Sequence, residues 1–157
     1  MNDTLPEPVF PVLPTLAAIE ALEARVLALP PDCQVEVPCA HYFSPGLYIR
    51  EMAAEAGTFL IGHEHLTEHH NILLEGAMIV LKDGRETLIE APLIFVSPAH
   101  TRKVAFVVRA VRFLNLFPLA GLEACGHDVA KLEEALRVKS ASFQAHELKQ
   151  LEKGETP

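Results

Sequence analysis

Residues 57–76 read GTFLIGHEHLTEHHNILLEG and hold four of the eight histidines of the 157-residue chain. Successive side chains on a strand point to opposite faces, so His63 and His65 would share one face with Phe59 and Ile61. The apolar pair marks that face as interior. The sequence therefore predicts two imidazoles at the polar end of an apolar strand face.

Two imidazoles at this spacing are suited to holding a metal ion. A turn over residues 66–68 would return either His69 or His70 as a third ligand. Neutral imidazole suits a divalent transition metal such as Fe, Mn, Ni or Zn, and three protein ligands leave positions for water or substrate. The same spacing is compatible with a solvated histidine-rich loop or with a hydrogen-bonded pair at the mouth of a barrel, and these alternatives stay open.

The chain around this stretch reads as a series of strands. Residues 33–117 consist of short runs, many of them rich in branched and aromatic side chains, separated by glycines and prolines. Asp83-Gly84, between AMIVLK and RETLIE, is a two-residue hairpin signal because a type I′ turn needs positive φ at both central positions. Eight or nine short strands at this spacing predict an antiparallel sandwich or small barrel over residues 33–118.

The N-terminal part differs from this core. Residues 1–14 contain four of the twelve prolines and are predicted to form an extended arm. Residues 15–32 are predicted to form an amphipathic helix and a linker, with Thr15 as N-cap and Pro30-Pro31 as the helix end. The acidic side chains of this helix, Glu20 and Glu23, are expected to lie in solvent.

The C-terminal part, residues 119–157, is predicted to contain one further helix and a tail. The helix spans residues 128–138 with Asp128 as its cap. Residues 139–157 are polar and are expected to form a frayed helix or tail.

Composition excludes several classes of protein. Half of the residues are hydrophobic and 22% are charged, which excludes a disordered chain or a coiled coil. The net charge of −8 argues against a nucleic-acid partner, because phosphate contacts need clustered cations. The apolar stretch at residues 9–30 is interrupted by prolines and charges, so no membrane span is expected. The three cysteines form no C-x-x-C pair and the first residues carry no basic leader, so we expect a cytoplasmic protein with reduced thiols.

The histidine stretch resembles the first motif of the cupin (RmlC-like) superfamily, G-x5-H-x-H-x3,4-E-x6-G. Gly57, His63, His65, His69 and Gly76 match its spacing, with His69 in the place of the glutamate. The resemblance implies an all-β core, the cupin double-stranded β-helix, which is a small antiparallel jelly-roll barrel. It also implies a metal held by the three matching histidines, and a homodimer that exchanges arms or edge strands.

The second cupin motif, G-x5-P-x-G-x2-H-x3-N, is only partly present. Pro98 matches its proline, whereas Pro92 and His100 replace the glycines and Val107 replaces the asparagine. Lys103 stands where the motif has its last metal-binding histidine. A protonated lysine repels a dication, so this departure bears directly on whether a metal is held.

Lys103 accordingly has several interpretations. It could lie inside the barrel as a cation that replaces the metal, paired with Glu51 or Glu75, and there bind an anion or act as a nucleophile or base. It could instead point to solvent at a strand end. On the strand LYIREM, Tyr48 and Arg50 share one face and Glu51 the other, so at most one of these sets lines a pocket. The candidate pocket residues are Lys103, His100, His70, Glu51, Tyr48, Phe59, Ile61 and Leu73.

A longer stretch, residues 41–116, is similar to small cupin-domain proteins of tailed phages and prophages. The similar segments are HYFSPGLYIREM at residues 41–52, the H-x-T-x-H pattern at 65–69 and EAPLIFVSP at 90–98. This second resemblance implies no defined activity. It raises the hypothesis of a phage-derived, virion-associated protein.

Three functions therefore remain open. The first is a metal-dependent enzyme or metal-assisted binder of a small molecule, with a pocket lined by Phe59, Ile61 and Leu73. The second is a metal-free module in which Lys103 and the histidines hold an anion. The third is a structural or accessory protein that assembles with phage structural partners through its arm and tail. Whether the chain is an enzyme is not decided by the sequence, and a homo-oligomer is expected in each case.

Overall fold

A computed structural model describes residues 16–82 and 85–154, which form antiparallel strands flanked by helices. The strands are β1 (Cys39–Ser44), β2 (Leu47–Ala54), β3 (Phe59–Ile61), β4 (Glu64–His65), β5 (His69–Lys82), β6 (Arg85–Glu90), β7 (Leu93–Ser97), β8 (Val104–Pro118) and β9 (Arg137–Val138). The helices are α1 (Leu16–Leu27), α2 (Val129–Leu136) and α3 (Ala141–Glu152). Short 3-10 turns lie at Pro31–Cys33 and Glu123–Cys125.

The two long strands, β5 and β8, pair with each other and run through both halves of the sheet. The first half has the order β1-β2-β8-β5-β7, and the second half has the order β3-β8-β5-β6. All of these pairings are antiparallel. Apolar side chains from both halves form one core cluster, with Leu73 and Phe113 from the first half and Met78 and Val107 from the second. The predicted fold class, an antiparallel all-β core with an N-terminal and a C-terminal helix, is confirmed.

Gly76 lies where β5 passes from one half of the sheet to the other. The register with β8 shifts between Leu73 and Glu75 and twice more before Met78, as at a β-bulge. Gly76 has a φ of +84°, and a Cβ on it would lie 2.0 Å from the carbonyl oxygen of Ala110. No other residue fits this backbone, so the last glycine of the histidine stretch is required by the close approach of two strands.

The interior of the first half-sheet is layered. Cross-strand register places Met52, Phe113, Leu73 and Leu93 in one apolar row. The adjacent row is polar, because Arg50 faces Asn115 and Asn115 faces Asn71. Buried polar groups in a barrel need hydrogen-bond partners. The polar part of the interior, which contains the candidate functional site, therefore begins at this row.

Helix α2 covers the end of the barrel beyond the polar row. Its Leu132 and Leu136 pack with Tyr48 and Phe117, and all four are at most 2% exposed. Asp128 caps the helix by accepting a hydrogen bond from the backbone N–H of Lys131, as predicted. Directly after the helix, β9 pairs with β4, which holds the C-terminal segment against the histidine stretch.

Helix α1 packs on the other half of the barrel, with Ile19 against a cluster that contains Val104. Glu23 of this helix is buried, so the expectation that it lies in solvent is wrong. It accepts hydrogen bonds from the Arg102 guanidinium and from the Ser140 hydroxyl, and these partners compensate for its burial. The helix ends at Leu27, three residues before Pro30-Pro31.

The segment after α2 is more ordered than predicted. Instead of a frayed tail, α3 spans Ala141–Glu152 and packs against α1. Ser140 is its N-cap and accepts a hydrogen bond from the backbone N–H of Phe143. The proline-rich arm at residues 1–14, the Thr15 cap and the Asp83-Gly84 turn lie outside the described residues. The strands on either side of that turn pair Lys82 with Arg85, the register that a two-residue hairpin predicts.

Candidate functional site

Two of the predicted ligands, His65 and His69, lie together inside the covered end of the barrel. They are 4% and 1% exposed, and their ring centroids are 4.6 Å apart. Both rings contact Phe117, at centroid distances of 5.6 Å and 4.8 Å. The turn after β4 returns His69 rather than His70 to the interior, because His69 is the buried member of the alternating strand β5.

The imidazole of His69 is fixed at both nitrogens. Nδ1 is 2.9 Å from the carbonyl oxygen of Thr67, so it carries the proton and donates. Nε2 is therefore an acceptor, and it lies 2.9 Å from Nζ of Lys103. Burial lowers the pKa of His69 to about 4, and the nearby Lys103 charge adds to this effect. The ring is neutral at physiological pH.

His65 is buried without a hydrogen-bond partner on either ring nitrogen among the described residues. Burial lowers its pKa to about 2, with further contributions from Lys103 and His69. A neutral imidazole always carries one N–H, so His65 presents an unused donor and an unused acceptor to the interior. Such groups cost stability and are uncommon outside functional sites.

Lys103 enters the interior from the segment between the bridge at Thr101 and the start of β8. Its pKa is lowered to about 7, first by burial and second by the charge of Arg50. Within the described ranges, no carboxylate lies within ion-pair distance of its Nζ. The interpretation of Lys103 as an interior cation therefore agrees with the structure, but its predicted pairing with Glu51 or Glu75 is wrong. Both of those carboxylates bind Arg112 instead.

A chain of hydrogen bonds extends from this site along the polar row. Arg50 donates to the side-chain oxygen of Asn115, at 3.3 Å, and Asn115 donates to that of Asn71, at 2.8 Å. Asn71 in turn donates to the Ser97 hydroxyl, at 2.9 Å. These bonds fix the orientations of both amides and leave the Nε of Arg50 buried without a partner among the described residues.

Glu133 of α2 is the carboxylate that Arg50 and Arg137 share at this end of the barrel. It accepts hydrogen bonds from Tyr48 (3.0 Å) and from Arg50 (3.2 Å), and it forms an ion pair with Arg137. The hydroxyl of Tyr48 is also 2.9 Å from Nδ1 of His41. Because the Tyr48 hydroxyl donates its hydrogen to Glu133, Nδ1 of His41 carries a proton and donates it to the Tyr48 oxygen. Glu133 was not predicted from the sequence. One glutamate in a helix that contains both polar and apolar residues does not indicate whether its side chain contacts the barrel interior.

The other predicted site residues are separated from this cluster. His63 packs edge-on against Phe143 of α3, with 4.6 Å between the centroids. His70 is exposed on the outer side of β5. His100 is exposed and lies 2.9 Å from a carboxylate oxygen of Glu64. Glu51 lies on the face of β2 opposite to Tyr48, in contact with Arg112. Tyr48 and Arg50 are therefore the pair that faces inward.

Phe59 and Ile61 do not line a pocket with Leu73, and this prediction is wrong. They belong to the cluster under α1, with Ile19 and Val104, whereas Leu73 belongs to the central core. The alternation rule holds only along a continuous strand, and β3 ends at Ile61 before β4 begins at Glu64. The break at residues 62–63 separates the face of Phe59 from the face of His65.

The donor set does not fit a divalent metal ion. His65 and His69 are two neutral imidazoles, but the free nitrogen of His69 already faces the Lys103 ammonium at 2.9 Å. After burial, the charge of Lys103 and then that of Arg50 lower the pKa of both rings, so a positive potential covers the place where a dication would bind. Within residues 16–82 and 85–154 there is no group of three or more His, Cys, Asp or Glu side chains that could hold a metal.

The buried histidines predict an acid-sensitive fold. His63, His65 and His69 have folded-state pKa values of about 4, 2 and 4, below the ordinary value of 6.5. Below pH 6.5 the unfolded chain therefore binds more protons than the folded chain does. The free energy of unfolding falls as the pH falls through this range. We expect the free energy of unfolding to drop by about 2–3 kcal/mol between pH 6 and pH 5, since His63 is only partly buried.

Urea unfolding at several pH values measures this dependence. His69→Gln should reduce the slope of stability against pH by about one proton. His70→Gln is the matched control, because that ring stays in solvent in the folded and the unfolded chain. Equal slopes in the two variants would contradict the burial of a neutral His69.

Apart from the β4–β9 pair, the described strands form one antiparallel sheet, and the end of it covered by α2 has a polar interior in which Lys103 faces His69. None of the described helices is long and apolar enough to cross a membrane.

No protein-family model matches the sequence, and no curated protein matches it either. Several solved structures are similar to the chain. A cupin superfamily protein from Desulfitobacterium hafniense is 14% identical, with 54% of this chain and 79% of that chain covered and a TM-score of 0.47. KdgF from Halomonas sp. is 19% identical, with coverages of 54% and 83% and a TM-score of 0.47. An RmlC-like cupin family protein with a double-stranded β-helix fold from Methanocaldococcus jannaschii is 14% identical, with coverages of 57% and 85% and a TM-score of 0.46. The resemblance to phage and prophage proteins stays a prediction.

Proposed function

We propose that this chain is a metal-free binding module of the cupin type that holds a small organic anion inside the barrel at Lys103. The observation that carries the proposal is the 2.9 Å contact between Lys103 Nζ and His69 Nε2. This contact puts a cation, not a vacant nitrogen, at the place where a metal would have to bind. The function with metal ligands His63, His65 and His69 is accordingly not the one we favour.

The charges of the interior favour an anion. Arg50, Arg137 and Lys103 are the cations at this end of the barrel, and Glu133 binds the first two. Lys103 has no carboxylate partner among the described residues. One negative charge on a ligand would balance it, and a charge-assisted hydrogen bond of this kind is stronger than a neutral one.

Unused donors near Lys103 favour a carboxylate or a similar oxyanion. His65 can donate from one ring nitrogen, and Arg50 has a free buried Nε–H. The ring of Phe117 contacts both histidines and Tyr48, so the surroundings of these donors are apolar. A small organic acid combines both properties, because its carboxylate needs donors and its carbon chain needs an apolar surface.

The expected binding is pH-dependent. Because the pKa of Lys103 is about 7, the side chain is charged at pH 6 and largely neutral at pH 9. Isothermal titration calorimetry with propionate, pyruvate and inorganic phosphate should give an affinity at least tenfold higher at pH 6 than at pH 9 for the anion that fits. Binding at pH 7 should be accompanied by proton uptake, measured in buffers of different ionisation enthalpy.

Lys103→Met should weaken the binding at pH 6 at least tenfold, because it removes the partly buried positive charge. Lys131→Met is the matched control, since that lysine forms a surface pair with Asp128. Binding that is equal in the two variants would contradict the proposal. So would about one equivalent of transition metal, found by elemental analysis of protein purified without a His-tag and lost in His65→Ala.

A further inference from the structure

We propose that Lys103 forms a reversible imine with the carbonyl carbon of a small α-oxo acid, with His69 as the group that moves the proton. This inference rests on the proposed anion binding and names the class of ligand for the same site. It adds a covalent step that anion binding alone does not require.

The geometry provides a nucleophile with a proton acceptor beside it. Nδ1 of His69 is committed as donor to the Thr67 carbonyl oxygen, so the lone pair of Nε2 points at Lys103 Nζ. No carboxylate among the described residues holds the Lys103 ammonium in its charged form. The uncharged amine is the form of a lysine that attacks a carbonyl, and Nε2 of His69 lies within hydrogen-bond distance to take up its proton.

The unpartnered donors select an α-oxo acid over a simple aldehyde or ketone. His65 and Arg50 each present a buried N–H with no partner among the described residues, and a carboxylate oxygen would accept from them. In an α-oxo acid the carbonyl carbon is bonded directly to the carboxylate. A carboxylate held by these donors would therefore keep the carbonyl carbon close to the amine, and proximity of this kind favours the addition.

The step is balanced without an oxidant or a metal. Nζ of Lys103 attacks the carbonyl carbon and forms the C–N bond, while the C–O double bond becomes single. One Nζ proton passes through Nε2 of His69 to the oxygen and gives a carbinolamine. The C–O bond then breaks, the second Nζ proton leaves with the oxygen, and the products are the imine and one water molecule. Hydrolysis reverses each step.

Reductive trapping tests the inference. The protein is incubated with pyruvate and sodium cyanoborohydride at pH 7, and intact mass spectrometry followed by peptide mapping locates the adduct. We expect one pyruvate per chain on Lys103, formed before any surface lysine reacts. Lys103→Arg keeps a cation but forms no imine under these conditions, so the single adduct should disappear.

His69→Gln tests the proton transfer separately. Glutamine can hydrogen-bond to the amine but cannot take up a proton, so the rate of trapping at pH 7 should fall at least tenfold. His70→Gln, on the outer side of the same strand, should trap at the wild-type rate.

Calorimetry with propionate, which has no carbonyl beside its carboxylate, separates this inference from the proposed function. Binding of propionate or pyruvate without an adduct on Lys103 would overturn the imine and leave the anion site standing. Adducts spread over surface lysines would overturn it equally. If neither acid binds and no adduct forms, both proposals fail.

Discussion

Gly76→Ala is expected to lower the free energy of unfolding by about 4 kcal/mol or more, which corresponds to a fall in Tm of roughly 10 °C or more. An added Cβ would lie 2.0 Å from the carbonyl oxygen of Ala110 and 2.7 Å from that of Arg109. Both atoms are backbone, so they can move away only if β5 and β8 separate. Because these two strands run through both halves of the sheet, the disturbance would spread to the whole core.

Gly57→Ala is the matched control for this variant. Its φ of +86° is almost the same as the +84° of Gly76, but nothing lies within 4 Å of the position of its Cβ. The free energy of unfolding of this variant should fall only by the cost of placing a residue with a Cβ at positive φ, about 1–2 kcal/mol. Urea denaturation of both variants separates the close approach of the strands from the positive φ, and similar losses in the two would contradict the role given to Gly76.

Glu133→Gln is expected to be the second strongly destabilising change, with a loss of about 3–5 kcal/mol. The substitution keeps the size of the side chain but leaves the guanidinium groups of Arg50 and Arg137 without their negative partner. The Arg50 and Glu133 side chains are each 15% exposed, so water replaces the lost interaction only in part. Thermal unfolding and urea denaturation at pH 7 measure the loss.

Glu90→Gln provides the comparison for an ion pair in solvent. Glu90 binds Arg109 on the surface, where both side chains are more than half exposed. Its loss should cost no more than about 0.5 kcal/mol. If Glu133→Gln were equally mild, the carboxylate would not be the partner that holds α2 on the barrel end.

The strands and the second helix could be predicted because their signals are local. Alternation, turn residues and the Asp128 cap each act within a few residues of the chain. The same local rule was wrong across residues 62–63, where the strand is interrupted and Phe59 and His65 come to lie on different surfaces. The buried state of Glu23 was also missed, because its partners Arg102 and Ser140 are distant in sequence.

The candidate site was predicted only in part, because local sequence spacing marks some of its residues and not others. His65 and His69 were found from their spacing, and Lys103 from its place in a degenerate motif. Whether Lys103 turns inward depends on the fold, since a lysine at a strand end can also reach solvent. Glu133 could not be found, because it meets Tyr48 across 85 positions of sequence.

The buried carboxylate of Glu23 has a consequence for synthesis of the chain on the ribosome. Helix α1 is made first, yet the hydroxyl that binds Glu23 belongs to a residue 117 positions later. At about 5–20 residues per second, translation takes roughly 6–23 seconds to reach Ser140. Arg102 is translated before Ser140, so until Ser140 is made the Glu23 carboxylate has at most one of these two partners, and α1 is among the last elements to dock. A nascent chain halted before Ser140 should therefore leave α1 open to proteolysis, whereas the released protein should protect it.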